Sequence, residues 1–141
     1  MGKIIKKIIA YTITCVILIL SVLGCAMENT AEDKLKDIDF TVVGEDQQPE
    51  ALKEIIAEKS ADPFQISYTL GGEMYIAIGY GEQPSGGYSI SVNGFYETED
   101  SMVIDTTLIG PGKAENVTNT PTRPYIVVKA ENIPDKMIEF K

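Results

Sequence analysis

The chain has 141 residues, with 21 Asp and Glu against 12 Lys and Arg, a formal net charge of −9, and neither histidine nor tryptophan. So acidic a balance argues against a nucleic acid or polyphosphate ligand, whose binding draws on clustered Lys and Arg. Without histidine there is no Ser-His or Cys-His nucleophilic pair and no imidazole zinc site.

Lys3, Lys6 and Lys7 precede a charge-free stretch, Ile8 to Met27, which contains Val22-Leu23-Gly24-Cys25. A basic start, an apolar run and small residues at its end make a secretory signal. The cysteine directly after Gly24 presents a thiol where a lipid transferase works at the membrane surface. This stretch resembles the bacterial lipoprotein signal family, whose mature chains begin at the modified cysteine, here Cys25. The resemblance implies a signal peptide over 1–24, lipid attachment at Cys25, and an extracytoplasmic domain held to the cell membrane through that lipid. An uncleaved transmembrane helix is the alternative, since the stretch is near the length of about 20 residues that spans a bilayer. Either way the N-terminal lysines stay cytoplasmic and the C-terminal domain lies outside. Cleavage would leave 117 of the 141 residues, with nine of the twelve basic and all 21 acidic side chains, a net of −12. Cys15 would leave with the signal. With Cys25 acylated, the folded part would then hold no thiol, disulfide or thiolate metal site.

Residues 25–37 are small, polar and charged, as in a tether, and one domain is expected over 38–141. Ile38, Phe40 and Val42 alternate with other residues at the period of a half-buried strand. A helix is expected from Pro49, at its first position, to Lys59, with Leu52, Ile55 and Ile56 forming one apolar stripe. Asp62-Pro63 ends it. Phe64, Ile66, Tyr68 and Leu70 alternate up to Gly71-Gly72, a two-residue hairpin turn. Met74, Ile76, Ile78 and Tyr80 form the returning strand, and Gly81 to Gly87 a loop. Tyr88, Ile90 and Val92 begin another strand. Asn93-Gly94 is either a hairpin turn or a bulge within one long strand that turns at Glu97–Ser101. The second option matches strand lengths better. Val103–Ile109, Tyr125–Ala130 and Met137–Phe140 complete the series. The fold class is mainly β (α+β): a small antiparallel sheet or sandwich with one covering helix.

Gly79-Tyr80-Gly81-Glu82-Gln83-Pro84-Ser85-Gly86-Gly87-Tyr88-Ser89-Ile90, with Thr122-Arg123-Pro124-Tyr125 and the apolar strand after it, resembles the C-terminal domain of the protease complex subunit PrcB family. The likeness covers about residues 64 to 130. It implies a non-catalytic accessory or assembly subunit, carried on a lipoprotein, whose partner is a surface protease or another exported complex. The candidate partner-binding residues are Pro84, Ser85, Gly86, Gly87, Tyr88, Arg123, Pro124 and Tyr125. Arg123 before Pro-Tyr departs from the family pattern. On the residues alone, adjacent glycines permit a sharp reversal, and Tyr88 either packs into the core or remains at a docking surface.

Three segments also resemble, in order, the loops with which chagasin-like inhibitors engage papain-type cysteine proteases: Gln83–Tyr88, Gly110-Pro111-Gly112 and Arg123-Pro124-Tyr125. The spacing is shorter and the tryptophan of that family is missing. Other motifs fail on their chemistry. Gly110-Pro111-Gly112-Lys113-Ala114 lacks the glycine spacing and the hydroxyl residue of a phosphate loop. Glu97, Glu99 and Asp100 lack calcium-loop spacing. No Ser-x-x-Lys pair exists. Asn116-Val117-Thr118 matches a glycosylation acceptor, a chance match if the leader is bacterial. A protein-binding role without catalysis, cofactor or metal is therefore expected, together with a membrane anchor and no nucleic acid.

Overall fold

The computed structural model describes Met1, Gly2, Ile4, residues 34–113 and residues 116–141. Cys25 and the lipid-attachment motif fall outside the described residues, as does most of the expected tether. The chain divides into two compact units, Met1–Ala31 and Glu32–Lys141. In the first, Ile4 N–H donates to the Met1 carbonyl at 3.2 Å. No helix among the described residues is long and apolar enough to cross a membrane.

The second unit is mainly β, as the alternating pattern predicts. Its strands are β1 (Lys36–Asp37), β2 (Phe40–Val42), β3 (Pro63–Leu70), β4 (Glu73–Tyr80), β5 (Ser89–Glu97), β6 (Ser101–Ile109), β7 (Tyr125–Glu131) and β8 (Met137–Phe140), with one helix, α1 (Glu50–Lys59), between β2 and β3. One four-stranded sheet runs β1-β5-β6-β8, the other β2-β7-β4-β3. Met74, Ile76, Ile78, Val128 and Ala130 from one sheet and Phe95, Met102 and Ile104 from the other are buried together in the main core. The pair is a sandwich.

Helix α1 adds a third layer. Leu52 and Ile56, 0 and 3 % exposed, join Tyr75, Ala77 and Val127 in a second cluster. Each such side chain contributes about 1.5–3 kcal/mol by burial. Pro49 sits at the cap, one position before its expected place, and its carbonyl accepts from the N–H groups of Leu52 and Lys53. Because α1 covers the outer face, β4 is buried on both sides, with Met74, Ile76 and Ile78 toward the sandwich and Tyr75 and Ala77 toward the helix. Gly79 makes room for the Phe64 ring, since a Cβ there would lie 2.2 Å from Phe64 Cε1.

The local expectations for turns hold. Gly71 and Gly72 both take positive φ, 63° and 85°, in a two-residue hairpin that pairs Leu70 with Glu73. β5 is one long strand whose register shifts between Val92 and Gly94. Asn93, the extra residue, donates from Nδ2 to Asp105 Oδ1 at 3.2 Å and to Thr107 Oγ1 at 2.8 Å. One departure from the antiparallel pattern is the parallel pair β6 and β8. It follows from topology: the single strand between them, β7, lies in the other sheet, so β8 returns in the direction of β6.

Candidate functional site

The sandwich has two unlike ends. At one, the chain turns within a sheet at Gly71-Gly72 and between Glu97 and Ser101, and passes between sheets through the short run from Asn132 to Lys136. At the other, two longer connections cross between sheets: Gly81–Tyr88, from β4 to β5, and Gly110–Pro124, from β6 to β7. We refer to these ends as the turn pole and the crossover pole. All eight candidate partner-binding residues lie at the crossover pole.

Both crossovers must run over exposed ground, where backbone groups lose sheet partners. They satisfy one another instead. Gln83 and Thr122 form a two-way bridge, N–H to carbonyl at 2.7 and 3.0 Å. Gly86 N–H donates to the Thr118 carbonyl at 3.0 Å, and Thr122 Oγ1 donates to the Ser85 carbonyl at 2.7 Å. Tyr80 N–H donates to the Pro124 carbonyl at 3.2 Å. Arg123 and Glu82 add an ion pair at 3.2 Å, about half exposed on both sides. In that setting the pair adds little stability.

The glycines are what let the strips meet. Gly87 has φ 83°, and a Cβ there would lie 2.5 Å from Val117 Cγ1 and 3.0 Å from Pro111 Cβ. Gly86 has no positive φ; its role is close approach, since a Cβ would lie 2.7 Å from Thr118 Oγ1. Tyr88 joins neither buried cluster. It is half-buried, lies against Gly110, and its hydroxyl meets no hydrogen-bond partner among the described residues. Tyr88 therefore does not pack into the core. Pro84 is exposed beside it.

Arg123 and Tyr125 lie toward the helix, lining a groove of about 300 Å³ with Glu45, Lys53, Ile56 and Ala57. Tyr125 also packs against the cluster under α1. The pole thus joins three of the sequence segments, Gln83–Tyr88, Gly110-Pro111 and Arg123–Tyr125, into one surface. Sequence reasoning missed Glu82, Thr118 and Thr122, which do the stitching. Their partners lie some 30 to 40 positions away, and no local pattern marks such pairs.

A cleft of about 450 Å³ opens between β3 and the end of β8, lined by Pro63, Phe64, Gln65, Ile78, Tyr80, Thr106 and Lys141. The Tyr80 and Thr106 hydroxyls meet across it at 2.9 Å. No Asp or Glu side chain lines it. A second cleft, about 390 Å³, lies at the turn pole beside Asp39, Glu97 and Glu131. There Lys136 Nζ stands 3.3 Å from Glu97 and donates to the carbonyls of Thr98 and Glu99. Of the three acidic side chains Glu97, Glu99 and Asp100, Glu97 is thus paired with an ammonium. Among the described residues no group of three or more acidic or thiol side chains is arranged to hold a metal ion.

Residues 74–131 match the family model described as PrcB C-terminal. No curated protein and no solved structure matches the chain. The matched span starts in β4 and ends with β7, so it takes in both crossovers and the β5–β6 hairpin and leaves out α1, β3 and β8. The segment 74–131, which holds both crossovers, is thus similar to the PrcB C-terminal family.

Proposed function

We propose that this chain is a non-catalytic subunit of a protease complex, anchored outside the cytoplasm by lipid on Cys25, that docks its partner with the crossover pole. The observation that carries this reading is the mutual stitching of the two crossovers within the matched segment. Loops already fixed by Gln83–Thr122, Gly86–Thr118 and Thr122–Ser85 contacts lose little conformational freedom on binding, and that cost is a main drain on affinity. Tyr88 offers the aromatic ring and polar tip that anchor residues of interfaces commonly provide.

Chain direction supports the same reading. Leu35 N–H donates to the Glu97 carbonyl at 2.8 Å and Lys36 pairs with Glu97, so the chain enters the sandwich at the turn pole. Residues entering at the turn pole leave both crossovers unconnected to the N-terminal segment along the chain. Two measurements test this. Mass spectrometry of the native product is expected to find an acylated N-terminal Cys25; a chain beginning at Met1 with a free thiol contradicts the anchor. Affinity capture with the anchored protein is expected to recover an exported protease, and Tyr88→Ala to lose it; undiminished capture contradicts the docking surface.

A second reading is favoured by one observation. The three segments that resemble chagasin-like loops converge at one end of a β sandwich, as that mode of inhibition requires. It predicts stoichiometric loss of papain activity on titration with the protein. Unchanged activity at excess protein removes it.

A further inference from the structure

We propose that β3 is a self-pairing edge, on which a second copy of this chain adds its own β3 antiparallel about Ser67 to continue the sheet. Sandwiches protect their edge strands with short length, charge, proline or cover. Among the described strands, β1, β2 and β8 are edges of two, three and four residues, whereas β3 has eight. Its sequence, Pro63-Phe64-Gln65-Ile66-Ser67-Tyr68-Thr69-Leu70, carries no charge. Pro63, at the strand's first residue, is the one protective element.

The hairpin decides which backbone groups face outward. A two-residue turn makes Leu70 and Glu73 the closing hydrogen-bonded pair, and the alternation then assigns Tyr68, Ile66 and Phe64 to β4. The N–H and C=O groups of Gln65, Ser67 and Thr69 therefore point away from the sheet, and no described residue pairs with them. All three residues are exposed.

A two-fold axis at Ser67 suits this strand and this chain. It sets Ser67 against Ser67 and Gln65 against Thr69, so all the outward groups pair, giving about six interchain hydrogen bonds. Pro63, which lacks an N–H, falls beyond the paired stretch. On the helix side the same register sets Ile66 against Tyr68, both half-buried, and Leu70, 52 % exposed, beside Phe64. Cross-strand apolar pairs of this kind stabilise a sheet. Charge selects the occupant as well. Two copies of a chain at −9 repel each other where charged surfaces meet, and β3 lets them meet along an uncharged seam.

The test uses the full chain in its membrane. In Ser67→Cys the two Cα atoms would stand about 5.5 Å apart, inside the roughly 4.4–6.8 Å range for a disulfide. Mild oxidation is expected to give a 67–67 disulfide, identified by peptide mapping and so distinct from bonds through Cys15 or Cys25. Thr41→Cys, exposed on β2 at the far edge of the same sheet, is expected to give at least tenfold less. Equal yields at the two positions overturn the proposal. Ser67→Pro removes an N–H that β4 does not use, and proline is tolerated on edge strands, so it is expected to abolish the dimer in detergent sedimentation with unchanged far-ultraviolet circular dichroism. Ser67→Lys, which keeps the N–H, gives the same reading if proline disturbs the strand. A dimer that survives either variant, or a wild-type chain that sediments as a monomer, overturns the proposal.

Discussion

The two poles of the sandwich solve the same problem, closing a sheet at its end, by opposite means. At the turn pole each connection is short: Thr98 and Ser101 exchange backbone and hydroxyl hydrogen bonds three residues apart, and a single side chain, Lys136, reaches across to the carbonyls of Thr98 and Glu99. At the crossover pole the connections are long and satisfied by each other, through contacts such as Thr122 to Ser85, 37 positions apart. Short closure yields a compact cap. Mutual closure yields a broad, fixed surface with Pro84 and Tyr88 outward, which is what recognition needs.

The comparison can be broken most strongly at Tyr88. Tyr88→Ala is expected to cost 2 kcal/mol or more in partner binding, in the range of about 2–4 kcal/mol seen for interface anchors, with little change in melting temperature. Titration calorimetry beside a thermal melt separates the two. Gly87→Ala should act on both, since positive φ alone costs a non-glycine residue about 1–2 kcal/mol and its methyl would press on Val117 and Pro111. A melt unchanged by this substitution would show that the loops are not locked together.

Next in size are the paired hydrogen-bond deletions. Lys136→Met uncovers the carbonyls of Thr98 and Glu99 at the turn pole, and Thr122→Val removes the donor to Ser85 at the other. Each is expected to cost about 1–2 kcal/mol of stability, measurable by urea titration. Only Thr122→Val should also weaken the partner, because only it loosens the docking surface.

The smallest effect is a pH dependence away from both loops. A hydrogen bond from Lys129, 2.9 Å from Glu73, holds the Glu73 carboxyl below its ordinary value, and Glu73 in turn raises Lys129. A depressed carboxylate stabilises the fold above its ordinary value of 4.5 and loses that contribution as pH falls through the folded value. A raised lysine does so below 10.5 and loses it as pH rises through the folded value. The difference in melting temperature between wild type and Lys129→Met should therefore be flat near neutral pH and shrink toward acid. Glu73 is exposed and Lys129 only half-buried, so a large difference would contradict this assignment.

Much of the fold was legible because its signals are local. The Gly71-Gly72 hairpin, the Gly94 bulge and the stripe Leu52–Ile56 each depend on a few neighbouring residues. The two-sided burial of β4 was not legible: alternation marks Met74, Ile76 and Ile78, while burial of Tyr75 and Ala77 requires knowing where α1 lies. The parallel pairing of β8 depends on which sheet holds β7, a choice no short window records. At the site, the Gly-Gly-Tyr turn and Arg-Pro-Tyr segment were visible as separate motifs. Their union through Gln83, Thr118 and Thr122 depends on backbone bonds that carry no compositional mark.

The most direct test of the docking account is site-specific photocrosslinking in the native membrane, with the photoreactive group placed at position 88 and, for comparison, at position 99 on the turn pole. The account predicts a defined adduct with an exported protease from position 88 and none from 99. An equal or stronger adduct from position 99 would show that recognition belongs to the turn pole and contradict the account.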